Sequence, residues 1–492
     1  MCGEDGRMRK RLQVAWICVL LPLAVHARQI PLTILFTSDV NGRLVSADSS
    51  GGLLQCAALT RAIRAQRRNV LLLDCGDAVH GSFVSAITGG TAVHDAMEEM
   101  EYDACVPGRS DFDSGIRGYK GLFETSSVPV LAANIHPPGF MRPFLVKEID
   151  GIRVVVVGLA CPVLAGCHLP DKLDGLQVKD SVSALADIMP LVRQMDPDVV
   201  ILATHQAWQD YDGPGSEINA IVRRFPEIDV ILGGRRYRPE YRKLSDSTVY
   251  AQAGSGAHHV GMVDIVYDNV SRTITSSSGL AHPVTPSIRP DQVLQKKLAR
   301  VLKKAQEESR KTAGCLSTPL AGSSLVAAAV MSACGADAAM LEDVSRRTLS
   351  AGKLTMEEVW DMVPHEREIA VISVTASQMD EILEQEAALG RESSRLIVNG
   401  LSWEQYDDRE AGARIEQLRM ADGAFIHPRK LLRVAAADVT LASSCGRRPH
   451  LRALSEEPSS RIEETGLRMR DAVLAYLQAN YPCSGGDGAD KP

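Results

Sequence analysis

Short aliphatic runs recur through the N-terminal half of the chain: Leu32–Phe36, Val70–Leu73, Val128–Ala132, Val154–Leu159, Val199–Leu202 and Val230–Leu232. Too short for helices and rich in Val, Ile and Leu, they read as buried strands. Amphipathic segments such as Leu53–Gln66 and Ile218–Arg224 lie between them. Strand–helix alternation of this kind restricts the chain to α/β architectures in which helices cover sheets.

At 492 residues the chain has room for two or three domains, and with aromatics at 4% its core must be aliphatic. A net charge of −7 argues against a basic nucleic-acid binder. Beyond the leader no apolar stretch is long enough for stable membrane insertion. The leader itself combines basic Arg9-Lys10-Arg11, an apolar run from Val14 to Val25, and Val25-His26-Ala27 with small residues at the cleavage positions. This is the pattern of a cleaved signal peptide over residues 1–27, with Met8 an alternative start, and it predicts a periplasmic or secreted protein. Of eleven cysteines, Cys2 and Cys18 fall in that leader, leaving an odd number behind. Disulfides are therefore permitted, with Cys161 and Cys167 close in sequence, and at least one thiol stays free or pairs between chains.

Further along, Leu294, Leu298, Val301 and Ala305 repeat at helical spacing between Asp291 and Lys311, with Gly314 placed to end the helix. Thr355-x-x-Glu358 and Thr375-x-x-Gln378 read as capping boxes opening helices of a second α/β unit. The organisation predicted is a signal peptide (1–27), a first α/β domain (28–285), a linker helix (286–314), a second α/β domain (315–483) and a Gly/Asp-rich disordered tail (484–492).

The chemistry-bearing residues cluster after the strands. The first strand runs into Thr37-Ser38-Asp39-Val40-Asn41-Gly42, and the second into Asp74-Cys75-Gly76-Asp77-Ala78-Val79-His80-Gly81-Ser82. Gly108-Arg109-Ser110-Asp111-Phe112-Asp113, Ala203-Thr204-His205 and Gly233-Gly234-Arg235-Arg236-Tyr237 follow. Loops beyond the carboxyl ends of strands in α/β sheets converge on one crevice, so these groups can meet at one site.

In order and wording these clusters resemble the 5'-nucleotidase family of the calcineurin-like metallophosphoesterases, with its T-x-D-x-H-G, G-D-x-x-x-G-S, G-N-H-E-F-D, S-H-x-G and G-G-H-T-H motifs. Leu131–Ile135, Ala251–Gly254, Gly261–Asp264, Gly352–Thr355, Val363–Arg367, Val398–Leu401 and Gly412–Ile415 resemble further family segments in order. The resemblance implies a four-layer α/β/β/α metallophosphoesterase domain, a linker helix and a 5'-nucleotidase C-terminal domain. It also implies two divalent metals (Mn, Zn or Mg) that clamp phosphate oxygens.

By motif position Asp39, Asp77 and His205 retain metal-ligand slots, with Asp77 bridging. Asn41, Arg109, Arg235 and Tyr237 replace four other ligands, and Ser110 replaces the catalytic His whose partner carboxylate survives as Asp113. An arginine has no lone pair for a metal and stays protonated. The substitutions therefore predict no metal or one, with Arg109 and Arg235 pairing with Asp39 and Asp77. His80 and His258 are candidate replacement ligands for a single-metal site.

The nucleoside-binding loops depart as well. The N-x-G-G-x-R loop becomes Leu341–Arg347, with Arg346 or Arg347 as remnant substrate contacts, and the terminal loop becomes Ala442–Arg448. With no Phe between Phe225 and Phe425 and none after Phe425, an aromatic sandwich for a base is hard to build, and Trp403 and Phe425 are weak stand-ins. Arg235-Arg236-Tyr237-Arg238 with Arg242-Lys243 is a basic patch, suited to a phosphate or acidic partner or simply to solvent. Three readings follow: a non-catalytic binder of a nucleotide or other phosphorylated small molecule, a phosphohydrolase with a remodelled mononuclear site, or a structural envelope protein with a protein partner still to be named.

Overall fold

In the computed structural model the described residues are 28–46, 51–168, 170–213, 215–342, 344–345, 347–363, 367–389, 396–442, 448–456 and 461–483. The predicted leader, the predicted tail and Arg346 lie outside them.

The alternation seen in the sequence resolves into two stacked sheets. One orders its strands Thr273–Pro283, His259–Asp268, Gln29–Thr37, Val70–Asp74, Ala104–Cys105, and the other Glu240–Lys243, Val249–Gln252, Val230–Gly233, Val199–Thr204, Ile152–Leu159, Phe144–Ile149. Gln29–Thr37 pairs in parallel with Val70–Asp74, and Ile152–Leu159 in parallel with Val199–Thr204. Because strand side chains alternate in direction, one strand feeds two cores. Ile34, Phe36, Leu71 and Leu73 meet Val154, Val156 and Ile201 between the sheets. Leu35 and Leu72 turn the other way, onto the helix Leu53–Gln66 and its neighbours. Val155, Val157 and Leu202 likewise face Ala184, Leu185 and Ile221 of the opposite helical layer. The result is the four-layer α/β/β/α architecture that the motifs imply.

Val128–Ala132 departs from its strand reading. It forms only isolated bridges, Cys105 with Val130 and Leu131 with Arg142, because Pro129 has no N–H to donate to a ladder.

The helix Gln292–Ser309 forms as the spacing predicts, capped by the Asp291 carboxylate accepting the Leu294 N–H at 2.9 Å. Its apolar stripe packs on the first α/β unit. Gly314 does not end it: the helix stops at Arg310, and Gly314 lies inside the strand Thr312–Leu316, which pairs with Gly352–Thr355. The tertiary pairing ends the helix, and at Gly314 a Cβ would press on Leu477 at 3.1 Å.

A further mixed sheet, Ile397–Asn399, Ala338–Leu341, Leu431–Ala437, Glu368–Thr375, Ile462–Arg468, forms the second unit and carries helices on both faces. Gly322–Cys334 and Met469–Asn480 cover one side, Ala376–Ala388 and Pro449–Glu456 the other. Both capping boxes form as read, with Thr355 Oγ1 accepting from Glu358 N and Thr375 Oγ1 from Gln378 N. A disulfide joins Cys315 to Cys483, tying the first strand of this unit to the end of its last helix. Cys161 is a free buried thiol while Cys167 is disulfide-bonded, so these sequence neighbours do not pair with each other.

Candidate functional site

The strands Gln29–Thr37, Val70–Asp74, Val199–Thr204 and Val230–Gly233 deliver the predicted clusters to one end of the sheet sandwich. The turns there are tight. Asp39 (φ 50°), Asn41 (φ 52°), Asp77 (φ 56°) and Arg235 (φ 74°) all occupy the left-handed region that non-glycine residues avoid. Glycines allow the loops to close in. A Cβ on Gly108 would lie 2.2 Å from Asp77 Oδ1, and one on Gly234 2.9 Å from His205 Nδ1.

At the centre Asp39, Asp77 and His205 are buried together, with one donor atom from each within 4.8 Å of the others. His205 Nδ1 donates to the Cys75 carbonyl at 2.7 Å. A carbonyl only accepts, so Nδ1 carries its hydrogen and Nε2 faces the carboxylates. Nε2 stands 3.4 Å from Asp77 Oδ2 and 3.8 Å from Asp39 Oδ1. Backbone amides supply further bonds: Ser110 N–H to Asp77 Oδ1 and Arg235 N–H to Asp39 Oδ2, each 2.7 Å.

These contacts divide the charge unequally. Burial opposes ionisation of both carboxyls. It pushes Asp39 up to about 7, aided by repulsion from Asp77 and resisted by His205. At Asp77 burial is outweighed by His205, the Arg109 guanidinium and the Ser110 amide, which hold the carboxyl below its ordinary range. For His205 burial disfavours the cation, but Asp77 and Asp39 overcome it and raise its pKa well above 6.5. The cluster is thus an imidazolium–carboxylate pair, with Asp39 the more readily protonated third member.

The replaced positions are arranged differently from the expectation. Arg235 reaches Asp39 through its backbone amide, while its guanidinium turns onto Gly215, where a Cβ would lie 1.4 Å from Nη1. Among the described residues no ion pair joins the Arg235 guanidinium to a carboxylate. The expected Arg235–Asp39 side-chain pair is therefore corrected: the left-handed turn presents the amide first and swings the side chain aside. Arg109 does act on Asp77 through its charge.

The Asn41 side chain donates Nδ2–H to the Asp39 backbone carbonyl at 2.9 Å. Tyr237 is 73% exposed at the surface. His80 and His258 do not join the Asp39–Asp77–His205 group among the described residues. His80 lies beside Asp111, and His258 is exposed near Arg43. The basic run divides: Arg242 stacks on Trp208 at 3.8 Å and Lys243 pairs with Asp246, leaving Arg236 and Arg238 at the surface.

Ser110 is fully buried, and among the described residues its Oγ has no hydrogen-bond partner. Asp113 bonds instead to the Arg367 guanidinium at 2.9 Å. Arg347 lies on the surface of the second unit, its carbonyl accepting Gly322 N–H.

The roles of two residues escaped the motif reading. Asp111 accepts the backbone N–H groups of Asp77, Ala78, Val79 and Gly108 at 2.8–3.1 Å, and so shapes the Asp77 turn. In the sequence it takes the acidic position of the G-N-H-E-F-D motif, but the motif does not say that its carboxylate serves backbone amides. Arg367 ends the family-like segment Val363–Arg367, but nothing local signals its partner, which is distant in sequence.

Residues 298–451 match the 5'-nucleotidase, C-terminal domain family. A snake venom 5'-nucleotidase of Crotalus adamanteus is 26% identical over 307 residues, 54% of this chain and 50% of the relative. The human 5'-nucleotidase is 29% identical over 255 residues, 48% of this chain and 42% of that protein. The chain thus aligns with about half the length of these curated relatives. Among solved structures, a 5'-nucleotidase precursor from Thermus thermophilus superposes with a TM-score of 0.73 at 19% identity, covering 93% of this chain and 98% of the other. A sulfate thiohydrolase from Thermus thermophilus shares the fold at a TM-score of 0.67 and 17% identity, over 92% and 94% of the two chains. The same architecture thus accompanies more than one named reaction, and the fold alone does not choose the chemistry. Residues 298–451 are thus a 5'-nucleotidase C-terminal domain, and the chain as a whole is similar to 5'-nucleotidases in sequence and shares their two-domain fold.

Proposed function

We propose that this protein is a non-catalytic member of the 5'-nucleotidase family that binds a phosphorylated small molecule, a nucleotide being the first to try. The observation that carries this reading is the self-contained state of the Asp39–Asp77–His205 cluster: imidazole and backbone amides engage the carboxylates, the Asn41 amide bonds the Asp39 carbonyl, Tyr237 is exposed and the Arg235 guanidinium lies against Gly215.

The donor set fits one divalent cation and not two. Asp39, Asp77 and His205 would hold it, whereas of the four replaced ligand positions two carry arginines, Tyr237 is exposed and the Asn41 amide is bonded to the Asp39 carbonyl. A cation bound there would polarise a phosphoryl oxygen. Position 110 carries a serine where the family motif has an imidazole, and Asp113 is ion-paired with Arg367, so the acid–base pair that the motif implies is not assembled. For a base, Phe425 at 73% exposure is the freest aromatic face of the second unit.

The leader pattern and the Cys315–Cys483 disulfide favour an exported protein, periplasmic or secreted. No helix among the described residues is long and apolar enough to cross a membrane.

The test is elemental analysis after manganese or zinc loading, paired with phosphate release from AMP and thermal shifts across a nucleotide panel. A ligand-dependent rise in Tm with no phosphate release supports the reading. Stoichiometric metal with release that Asp77→Asn abolishes overturns it in favour of a mononuclear hydrolase. No shift with any nucleotide or sugar phosphate overturns it in favour of a structural role.

A further inference from the structure

Two adjacent helices on the first unit carry cations that the Asp39–Asp77–His205 site does not use. The helix Gln292–Ser309 buries Leu294, Leu298 and Ala305 and leaves Lys296, Lys297, Arg300, Lys303 and Lys304 exposed. Successive turns place these five within about a third of the helix circumference, with the exposed Val293 among them. No acidic residue falls between Asp291 and Glu307. The helix Leu53–Gln66 lies alongside, its Arg61 bonding the capping Asp291 carboxylate at 2.7 Å. Arg64, Arg67 and Arg68 extend the cationic surface from the end of that helix. The neighbouring carboxylates are engaged: Glu99 with Lys297 at 3.2 Å, Asp264 with Arg67 at 2.9 Å, Glu101 with Arg64 at 3.6 Å and Glu307 with Lys303 at 3.9 Å. Among the described residues these pairs leave Arg68, Lys296, Arg300 and Lys304 without a carboxylate. The excess here is positive in a chain whose net charge is −7.

We infer that this face docks the protein on an anionic lipid bilayer, against the headgroup phosphates. Charge complementarity selects an anionic partner, and the shape selects a broad one. A helix of 18 residues is about 27 Å long, and its exposed cations all leave one side. Such a row meets a plane of phosphates at many points at once, whereas a small anion touches one or two. Neither helix contains an aromatic residue, so the face offers no ring on which the bases of a single strand could stack. The apolar stripe of the helix is committed to the core, so the helix lies on the headgroups and does not insert. Attraction of this kind falls off within a Debye length, about 10 Å at 0.1 M salt, so binding weakens as salt rises. Neither helix contributes to the Asp39–Asp77–His205 cluster, so docking goes beyond the proposed ligand binding and does not depend on it.

The full chain is sedimented with vesicles of phosphatidylcholine, with and without a third of the lipid replaced by phosphatidylglycerol. Binding to the anionic vesicles should be at least about tenfold tighter, and raising NaCl from about 0.05 M to about 0.5 M should abolish the difference. The triple variant Lys296→Gln, Arg300→Gln, Lys304→Gln should lose most of that preference at unchanged Tm, whereas Arg236→Gln with Arg238→Gln should keep it. The leader's cations are common to all variants, so the docked face is read separately by lysine acetylation. Anionic vesicles should shield Lys296, Lys303 and Lys304 and leave Lys179, which pairs with Asp187 on the opposite helical layer, reactive. Equal binding to both vesicle types, a preference that the triple variant keeps, or shielding of Lys179 as strong as that of Lys296 would overturn the inference. Tighter binding to duplex DNA than to the anionic vesicles would overturn it in favour of a nucleic-acid face. Should the triple variant melt early, the salt dependence and acetylation pattern of the unmodified chain decide.

Discussion

His205 points Nδ1 at the backbone carbonyl of Cys75, 2.7 Å away, and that bond commits Nε2 to the gap between Asp39 and Asp77. The carbonyl belongs to the turn that carries Asp77, so the same loop both orients the imidazole and receives its charge. The site is therefore one electrostatic unit.

Removing the imidazole should be costly. His205→Ala leaves two buried carboxylates facing each other and is expected to destabilise the protein by about 3 kcal/mol at pH 7 in urea unfolding. The sign of the pH dependence follows from the raised pKa of His205. Its stabilisation is complete below the unfolded value near 6.5 and is lost as pH climbs through the higher native value. The wild type should accordingly weaken in alkali, and His205→Ala should show a flatter alkaline limb.

Asp111 offers a sharper structural test. Its carboxylate serves four backbone N–H groups of the site loops. Asp111→Ala strands those amides, at roughly 1–3 kcal/mol for each that finds no other partner. A total loss of about 3 kcal/mol or more is expected in chemical denaturation, with Asp111→Asn retaining part of it.

Asp229 makes a pH prediction away from the site. Burial pushes its carboxyl up to about 7, against the Val200 N–H bond that favours its ionised form. The native state thus holds this proton where the unfolded chain has released it, and stability should fall as pH rises from about 4 to 7. The slope is at most about 1.4 kcal/mol per pH unit. Asp229→Asn should flatten that segment of a stability–pH curve; an unchanged slope would count against it.

In the second unit Arg448 is 1% exposed and binds Glu386 through two nitrogens at 2.7 and 3.0 Å and Glu342 through a third at 2.8 Å. Arg448→Met removes the cation shared by two buried carboxylates and should cost about 3–5 kcal/mol. Combining it with Glu342→Gln and Glu386→Gln should recover most of that loss. Differential scanning calorimetry on the single and triple variants measures the recovery.

Much of this is legible in the chain. Runs such as Val154–Leu159 specify strands buried on both faces, because alternate side chains then enter two different cores. Asp291, Thr355 and Thr375 mark helix starts through purely local hydrogen bonds. The motif order also picks out Asp39, Asp77 and His205 as a group, since strand ends in stacked α/β sheets converge. These are properties of short segments and of a topology that short segments dictate.

What the chain does not disclose are relations between distant residues. Charge alone suggests that Arg235 pairs with Asp39 through its side chain, yet a left-handed turn presents its amide instead. The helix end at Arg310 and the strand role of Gly314 come from pairing with Gly352–Thr355. Asp113 and Arg367 lie 254 positions apart and meet only because the second unit folds over the first. Sequence determined which groups were available and which local turns they prefer. The tertiary structure decided which charges lost their water together, and buried charge admits few partners.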